Sequence, residues 1–316
     1  MAQNNLRVIY NNLADYSGVA VSASSEQNST TTPATNLLKN AKGRVWRSSP
    51  TTIASTTVSA NLLIDLGSAK SIGGVVLAFT NLNSNTATIR VTGYSTPPTL
   101  TGSVDTPTVT GGTQVGSFQQ TTTCCPWNTL ALPNWAGTPA TANMYAYGGG
   151  TYARVWLSTA IQALQARYVL LEITDAYSTS ASGRYIEASR IIIGPYWSPK
   201  YNTSYGITSA IKDLSTHSRT ESGDLVSTIG PRFNSLSFDM KWLSSSTDKV
   251  ELTRMLQGGG LPRPVLISLF PDYAGGTTGA YETERNHMVF GKLTQIPGTQ
   301  FNPLDLYSTQ IEIEEI

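Results

Sequence analysis

The chain has 316 residues, enough for about two domains with cores of their own. Its 21 Lys and Arg balance 20 Asp and Glu for a formal net charge of +1, and charged residues make up only 13%, about half of the ~25% usual in a soluble domain. Charge this sparse and balanced leaves no basic footprint for nucleic acid or an anionic membrane surface. No apolar run approaches the ~20 residues of a membrane span, and the opening MAQNNLR lacks the basic-then-apolar pattern of a secretory leader. Hydrophobic residues at 40% argue against disorder. The expectation is a neutral, polar-surfaced, β-rich protein made without export, a profile unusual for an enzyme and common for the building block of an assembly.

Residues 6–10 and 19–23 alternate weakly in β fashion. Residues 61–67 (NLLIDLG) read as a strand closed by glycine, and 72–79 (IGGVVLAF) as the continuous apolar run of a strand in a sandwich core. Residues 86–94 alternate β-branched side chains. From 95 to 151 the pattern lapses into Thr, Gly and Pro, with Trp127, Trp135, Tyr145 and Tyr147 among them. That stretch is too long for a passive connection and reads as an elaborated insertion with short hairpins of its own. Strand signals resume at 153–157, 166–173 and 186–193. Short strands at this spacing indicate a β-sandwich or jelly roll.

IIGPYWSP at 192–199 follows a β run with a glycine and two prolines, which places a boundary between residues 1–195 and 196–316. Beyond it, strands are expected at 234–243, 264–269, 287–293 and 307–314. Residues 244–257 form the one expected helix: hydroxyl caps open it, Val250, Leu252, Met255 and Leu256 share an apolar side, and it stops at Gly258. The second part is therefore α+β.

Residues that carry chemistry are few. Cys124 and Cys125 are adjacent, so a bridge between them closes a strained eight-membered ring. With no CxxC and no clustered partner ligands, they read as two free thiols in a loop; a vicinal disulfide or an intermolecular bridge is the alternative. His217 and His287 stand alone, and there is no GxSxG. Glu282 and Glu284 flank Thr283, while Glu312, Glu314 and Glu315 end a strand with one wet face. Gly258-Gly259-Gly260 runs into Leu261-Pro262, a turn rather than a phosphate loop. No catalytic residue, cofactor or metal site is expected. Trp127, Trp135, Tyr145 and Tyr147, with Asn128, Asn134 and Asn143 nearby, are candidate carbohydrate platforms; equally, they pin a long loop or line a subunit interface, where Tyr and Trp are also enriched. Trp46 is expected in the core.

Asn36-Leu37-Leu38, Arg44-Val45-Trp46-Arg47-Ser48-Ser49, Leu63-Ile64-Asp65-Leu66-Gly67, residues 72–77 and Thr80-Asn81-Leu82 resemble, in that order, the discoidin-like (galactose-binding-like) jelly roll. Residues 167–171 and 185–187 resemble its closing strands. The run from Arg190 through Asn202, then Tyr205-Gly206, residues 219–223, Pro231-Arg232-Phe233, residues 236–243, Pro264-Val265-Leu266 and Phe290-Gly291-Lys292-Leu293, resembles tail proteins from the distal end of long-tailed bacteriophages. The fold this implies is mainly β: a discoidin-like jelly-roll sandwich followed by an α+β sheet domain with one helix, similar to ring-forming distal tail and hub domains. The 95–151 insertion departs from the pattern. The implied role is a non-enzymatic structural virion protein of the tail tip or baseplate. It would be made in the host cytoplasm and assembled as a ring of three or six copies against tail tube and tail hub proteins. The alternative is a carbohydrate-binding module or adhesin touching a host surface glycan. A glycosidase is the third reading, and it would need a carboxylate pair across a groove.

Overall fold

Strands dominate the computed structural model, which describes residues 6–82, 87–124, 151–271, 284, 286–302 and 306–316. The first part contains β1 (Arg7–Ile9), β2 (Ala20–Ala23), β3 (Trp46–Arg47), β4 (Ser55–Ser71), β5 (Gly74–Thr80), β6 (Thr88–Thr96), β7 (Thr99–Gly102), β8 (Pro107–Thr110), β9 (Thr113–Thr123) and β10 (Thr151–Trp156). A single-turn helix α1 (Thr159–Gln162), β11 (Gln165–Ala181) and β12 (Glu187–Gly194) complete it. The second part holds β13 (Thr208–Asp213), β14 (Thr216–Arg219), β15 (Leu225–Thr228), β16 (Arg232–Ser244) and α2 (Asp248–Gly259). After the helix come β17 (Val265–Ser268), β18 (Met288–Leu293), β19 (Gln300–Asn302) and β20 (Leu306–Glu315).

A five-stranded sheet, β2-β4-β11-β6-β9, faces a four-stranded sheet, β10-β5-β12-β3, across a core that includes Trp46, Leu62, Ile64, Leu77, Phe118 and Leu171. This is the expected mainly-β sandwich. The second part is a sheet in the order β1-β17-β18-β20-β16-β13, with β19 on β20. Its core sets Leu252 and Met255 of α2 against Leu236, Phe238, Met240, Ile311 and Ile313.

A third core joins the two parts. Val76, Tyr152, Trp156 and Ile192 from the four-stranded sheet meet Leu266, Met288 and Phe290 from the second sheet. Every position of β5 and β12 is consequently buried. The run Val75-Val76-Leu77-Ala78 alternates in destination rather than polarity: Val75 and Leu77 enter the sandwich core, Val76 and Ala78 the joining core. That is why residues 72–79 read as continuously apolar. The same division holds in β17, where Val265 and Ile267 face the α2 side and Leu266 the sandwich. The layers therefore stack as five-stranded sheet, four-stranded sheet, second sheet, helix.

Two glycines make the joining layer possible. A Cβ on Gly73 would lie 2.7 Å from the Tyr196 ring, and one on Gly74 2.7 Å from the Trp156 ring. The two rings pack edge to face at 5.6 Å, with the Arg7 guanidinium 5.1 Å and 4.9 Å above them.

Several expectations change in detail. Arg7–Ile9, grouped by sequence with residues 1–195, pairs with β17 of the second sheet, and Val8 exchanges backbone hydrogen bonds of 2.8 Å with Trp197. A weak local alternation announces a strand without saying which sheet receives it. Within 95–151, β7 and β8 form the expected short hairpin, but β9 is a full member of the five-stranded sheet, with Phe118 buried in the sandwich core. Its remaining side chains are mostly exposed Thr and Gln, which hid it. The helix begins at Asp248 rather than 244. Ser244 and Asp248 cap one another reciprocally at 3.2 Å, so the hydroxyl run precedes the helix, and Val250 faces solvent. Trp46 is fully buried, as expected.

Candidate functional site

The candidate platforms Trp127, Trp135, Tyr145 and Tyr147, with Asn128, Asn134, Asn143, Cys125 and Glu282, lie outside the described residues. The Cys124 side chain is buried in the sandwich core; its N–H donates to the Ala87 carbonyl at 2.9 Å and its carbonyl accepts from Arg154 N at 2.9 Å. His217 and His287 are far apart in setting. His217 Nδ1 meets Ser227 Oγ at 2.8 Å across an exposed hairpin, and the His287 ring packs edge to face on Phe270 at 5.0 Å.

Several carboxylates are paired with arginines. Arg154 grips Glu284 with two hydrogen bonds, 2.8 Å from Nε and 2.6 Å from Nη2, both side chains almost wholly buried at 4% and 1% exposure. Glu187 pairs with Arg47 and Glu172 with Arg90. The Arg167 guanidinium, 2.9 Å from Asp65, holds that carboxyl below its usual range. The last three pairs tie neighbouring strands of one sheet, and Arg154–Glu284 ties the four-stranded sheet to the second part. Glu315 also joins the two parts: its carboxylate accepts from Tyr152 Oη at 2.8 Å and from Asn234 N at 3.1 Å, and pairs with Lys42 Nζ at 3.1 Å. Burial first, then the nearby Glu315 charge, pushes the Tyr152 phenol well above its ordinary value. In sequence, Glu315 read as the wet end of a strand; it is the polar centre of the junction.

The opposite margin of the second sheet is open. Strand β13 pairs with β16 from Thr208↔Ser237 to Asp213↔Arg232, and no described strand covers its other edge. Past Asp213 the two strands continue as an arm, β14 paired with β15, in which every position is exposed. Its root is clamped. Ser215 N and Arg232 Nε each donate to Asp213 at 2.7 Å, and these bonds, Ser215's foremost, hold the Asp213 carboxyl down at about 2. The legs run so close that a Cβ on Gly230 would lie 2.4 Å from the Leu214 backbone. Ile211, Leu214, Leu225, Val226 and Ile229 are all exposed along this edge and arm. An isolated two-stranded hairpin is marginal in water, and an open edge with apolar side chains is a template for association.

A second exposed apolar group lies at the other end of β16. Leu236, Phe238 and Met240 enter the α2 core in alternation; then the register against β20 slips, Met240 opposing Thr309 and Leu243 opposing Tyr307. This bulge turns two successive residues, Lys241 and Trp242, outward before Leu243 returns to the core, the re-aiming that bulges provide. Trp242, 55% exposed, forms the shared wall of two clefts. One, of about 820 Å³, includes Asp239, Gln295, Ile296, Gln300 and Gln310. The other, of about 600 Å³, includes Asn202, Ser204, Tyr205 and Phe270. Nothing in the sequence marked either the arm or the cleft beyond the outward apolar residues themselves.

No protein-family profile and no curated protein matches the chain. Among solved structures it is similar to a GH29 fucosidase of Ruminococcus gnavus in complex with fucose, at 15% identity and TM-score 0.34, over 61% of this chain and 28% of that one. It is similar to chitosan-binding module 1 from a chitosanase/glucanase of Paenibacillus sp. IK-5, at 17% identity and TM-score 0.33, over 58% of this chain and 98% of the module. A family 32 carbohydrate-binding module from C. perfringens NanJ, in complex with galactose, matches at 12% identity and TM-score 0.30, over 61% and 99%. The chain thus spans about a quarter of the fucosidase and nearly all of the binding modules, and the similarity carries no ligand or activity over to it.

Proposed function

We propose that this chain is a structural subunit that assembles with copies of itself into a ring of three or six, at the distal end of the tail of a long-tailed bacteriophage, against tail tube and tail hub proteins. The observation that carries the assembly is the open edge of β13 together with the exposed apolar arm that continues from it. The tail assignment rests on the resemblance of residues 190–243. Low charge density suits surfaces destined for protein contact, since charged residues are depleted at interface cores, and identical subunits joined head to tail close into rings when the rotation permits. The sandwich, fixed through the joining core, would project as a rigid accessory. Two measurements test this. Light scattering of the purified full-length chain should give a closed oligomer, and immunogold electron microscopy of phage particles should place the label at the tail's distal end; a monomer at all concentrations, or unlabelled particles, overturns it.

A second reading assigns glycan binding to the aromatic segment between β9 and β10. Its probes are fucose, galactose and a chitosan oligomer, the ligands that the solved neighbours name. Trp127→Ala and Trp135→Ala losing glycan binding with assembly intact supports it; lost assembly makes those aromatics interface residues instead.

A further inference from the structure

We infer that the arm of one copy docks into the cleft beside Trp242 of the next, a head-to-tail contact in which the partner surface is a second copy of this chain; the inference rests on the assembly reading above. Exposed large apolar side chains concentrate in two places. One is the arm and edge, with Leu225, Val226 and Ile229 at their centre; the other is the cleft, with Tyr205, Trp242 and Ile296. The first is a projection and the second a recess, so their shapes are opposite while their chemistry is alike. Contiguous exposed apolar surface on a folded chain marks an interaction site.

The geometry of β16 keeps the two apart within one molecule. The arm leaves the sheet at Arg232 and the cleft opens at Trp242, ten residues along the same strand, a separation of about 33 Å at ~3.3 Å per residue. All eight positions of β14 and β15 are exposed, and no arm residue lines either cleft. The cleft of one copy is therefore free to take the arm of another. Projection and recess at opposite ends of one element make a heterologous contact, the kind that propagates around a ring. Charge agrees at the second cleft: Glu221 and Asp224 outweigh Arg219 at the arm's tip, and Lys241 is the one charged residue lining that cleft, whereas Asp239 offsets it in the first.

The test uses three full-length proteins. One is native, one has residues 215–230 replaced by an Asn-Gly turn, and one carries Trp242→Ala with Ile296→Asp. Circular dichroism and thermal unfolding confirm that each folds, as expected because every altered side chain but Ser215 and Gly230 at the arm's root is exposed. Light scattering should show the native oligomer, and for each variant alone an association weakened by at least about tenfold, as for loss of an interface anchor. Mixing the two variants should yield a heterodimer and nothing larger, since the armless copy keeps a working cleft and the cleft variant keeps a working arm. Val226→Cys combined with Ile296→Cys should cross-link copies under mild oxidation, and neither single variant should. A cleft variant that assembles like the native chain, or a mixture that stays monomeric, overturns the docking and leaves the assembly reading standing. A native chain that never associates overturns both.

Discussion

The joining core and the arm are both made of short paired strands, yet the first meets apolar partners on either face and the second meets none. At the junction, Val76, Ile192 and Phe290 meet apolar partners across two sheets, and the buried Glu315, Glu284 and Arg154 groups find counter-charges or hydrogen bonds. In the arm, Leu225 and Val226 meet water. Buried polar groups are tolerable when satisfied, and these three charged groups of the junction are, while Ser268 Oγ and Trp156 Nε1 are buried beside them without a described partner. The arm is held only at its root, by Asp213, Ser215 and Arg232. On the assembly proposed above, the uncovered apolar hairpin is where the partner copy sits.

Breaking the junction gives the largest effects. Arg154→Ala leaves Glu284 charged, buried and unpaired, and should lower the unfolding free energy by about 3–5 kcal/mol in denaturant titration. Arg154→Met with Glu284→Leu should recover most of that loss, because an apolar pair of similar size replaces the ions. Tyr152→Phe removes two hydrogen bonds, to Glu315 and from Phe290 N, and should lower stability by about 1–2 kcal/mol. It should also flatten the alkaline limb. The folded phenol titrates above its unfolded value of 10.0, so its contribution is complete below pH 10 and is lost as pH rises beyond it. Unfolding midpoints measured from pH 8 to 11 in both proteins check this.

Changes in the arm should invert the pattern. Leu225→Asp with Val226→Asp should alter monomer stability by no more than about 0.5 kcal/mol while abolishing assembly seen by light scattering. A loss of stability instead would mean that the arm packs within its own chain. The smallest effect is at the root. The Asp213 carboxyl is depressed from 3.8 to about 2, so its clamp holds above about pH 4 and is released as pH falls through 2. The Ser215 amide resonance should titrate in that window, and in Asp213→Asn it should not.

Most strands were readable from local pattern: 61–67, 72–79, 166–173, 186–193 and 234–243 each fall on β4, β5, β11, β12 or β16, because alternation and apolar runs record which positions avoid water. Trp46 was readable as core for the same reason. The arm was not. His217, Ser218, Leu225 and Val226 have no buried face to impose a period, so their pairing shows only in the ladder of β14 on β15. The cleft depends on one extra residue in β16, and a bulge is a relation between two strands rather than a property of one.

By itself the sequence determined a mainly β chain, the helix that ends at a glycine run, sparse charge and the strands that form the cores. Only the tertiary structure decided that β5 and β12 lie between two sheets, that β1 crosses to the second of them, that Glu315 is a junction rather than a wet terminus, and that arm and cleft lie at opposite ends of β16. The reason is physical. Side-chain periodicity states whether a position is buried, but what buries it is set by pairing between residues far apart in the chain, such as Val8 with Ile267 or Glu315 with Lys42.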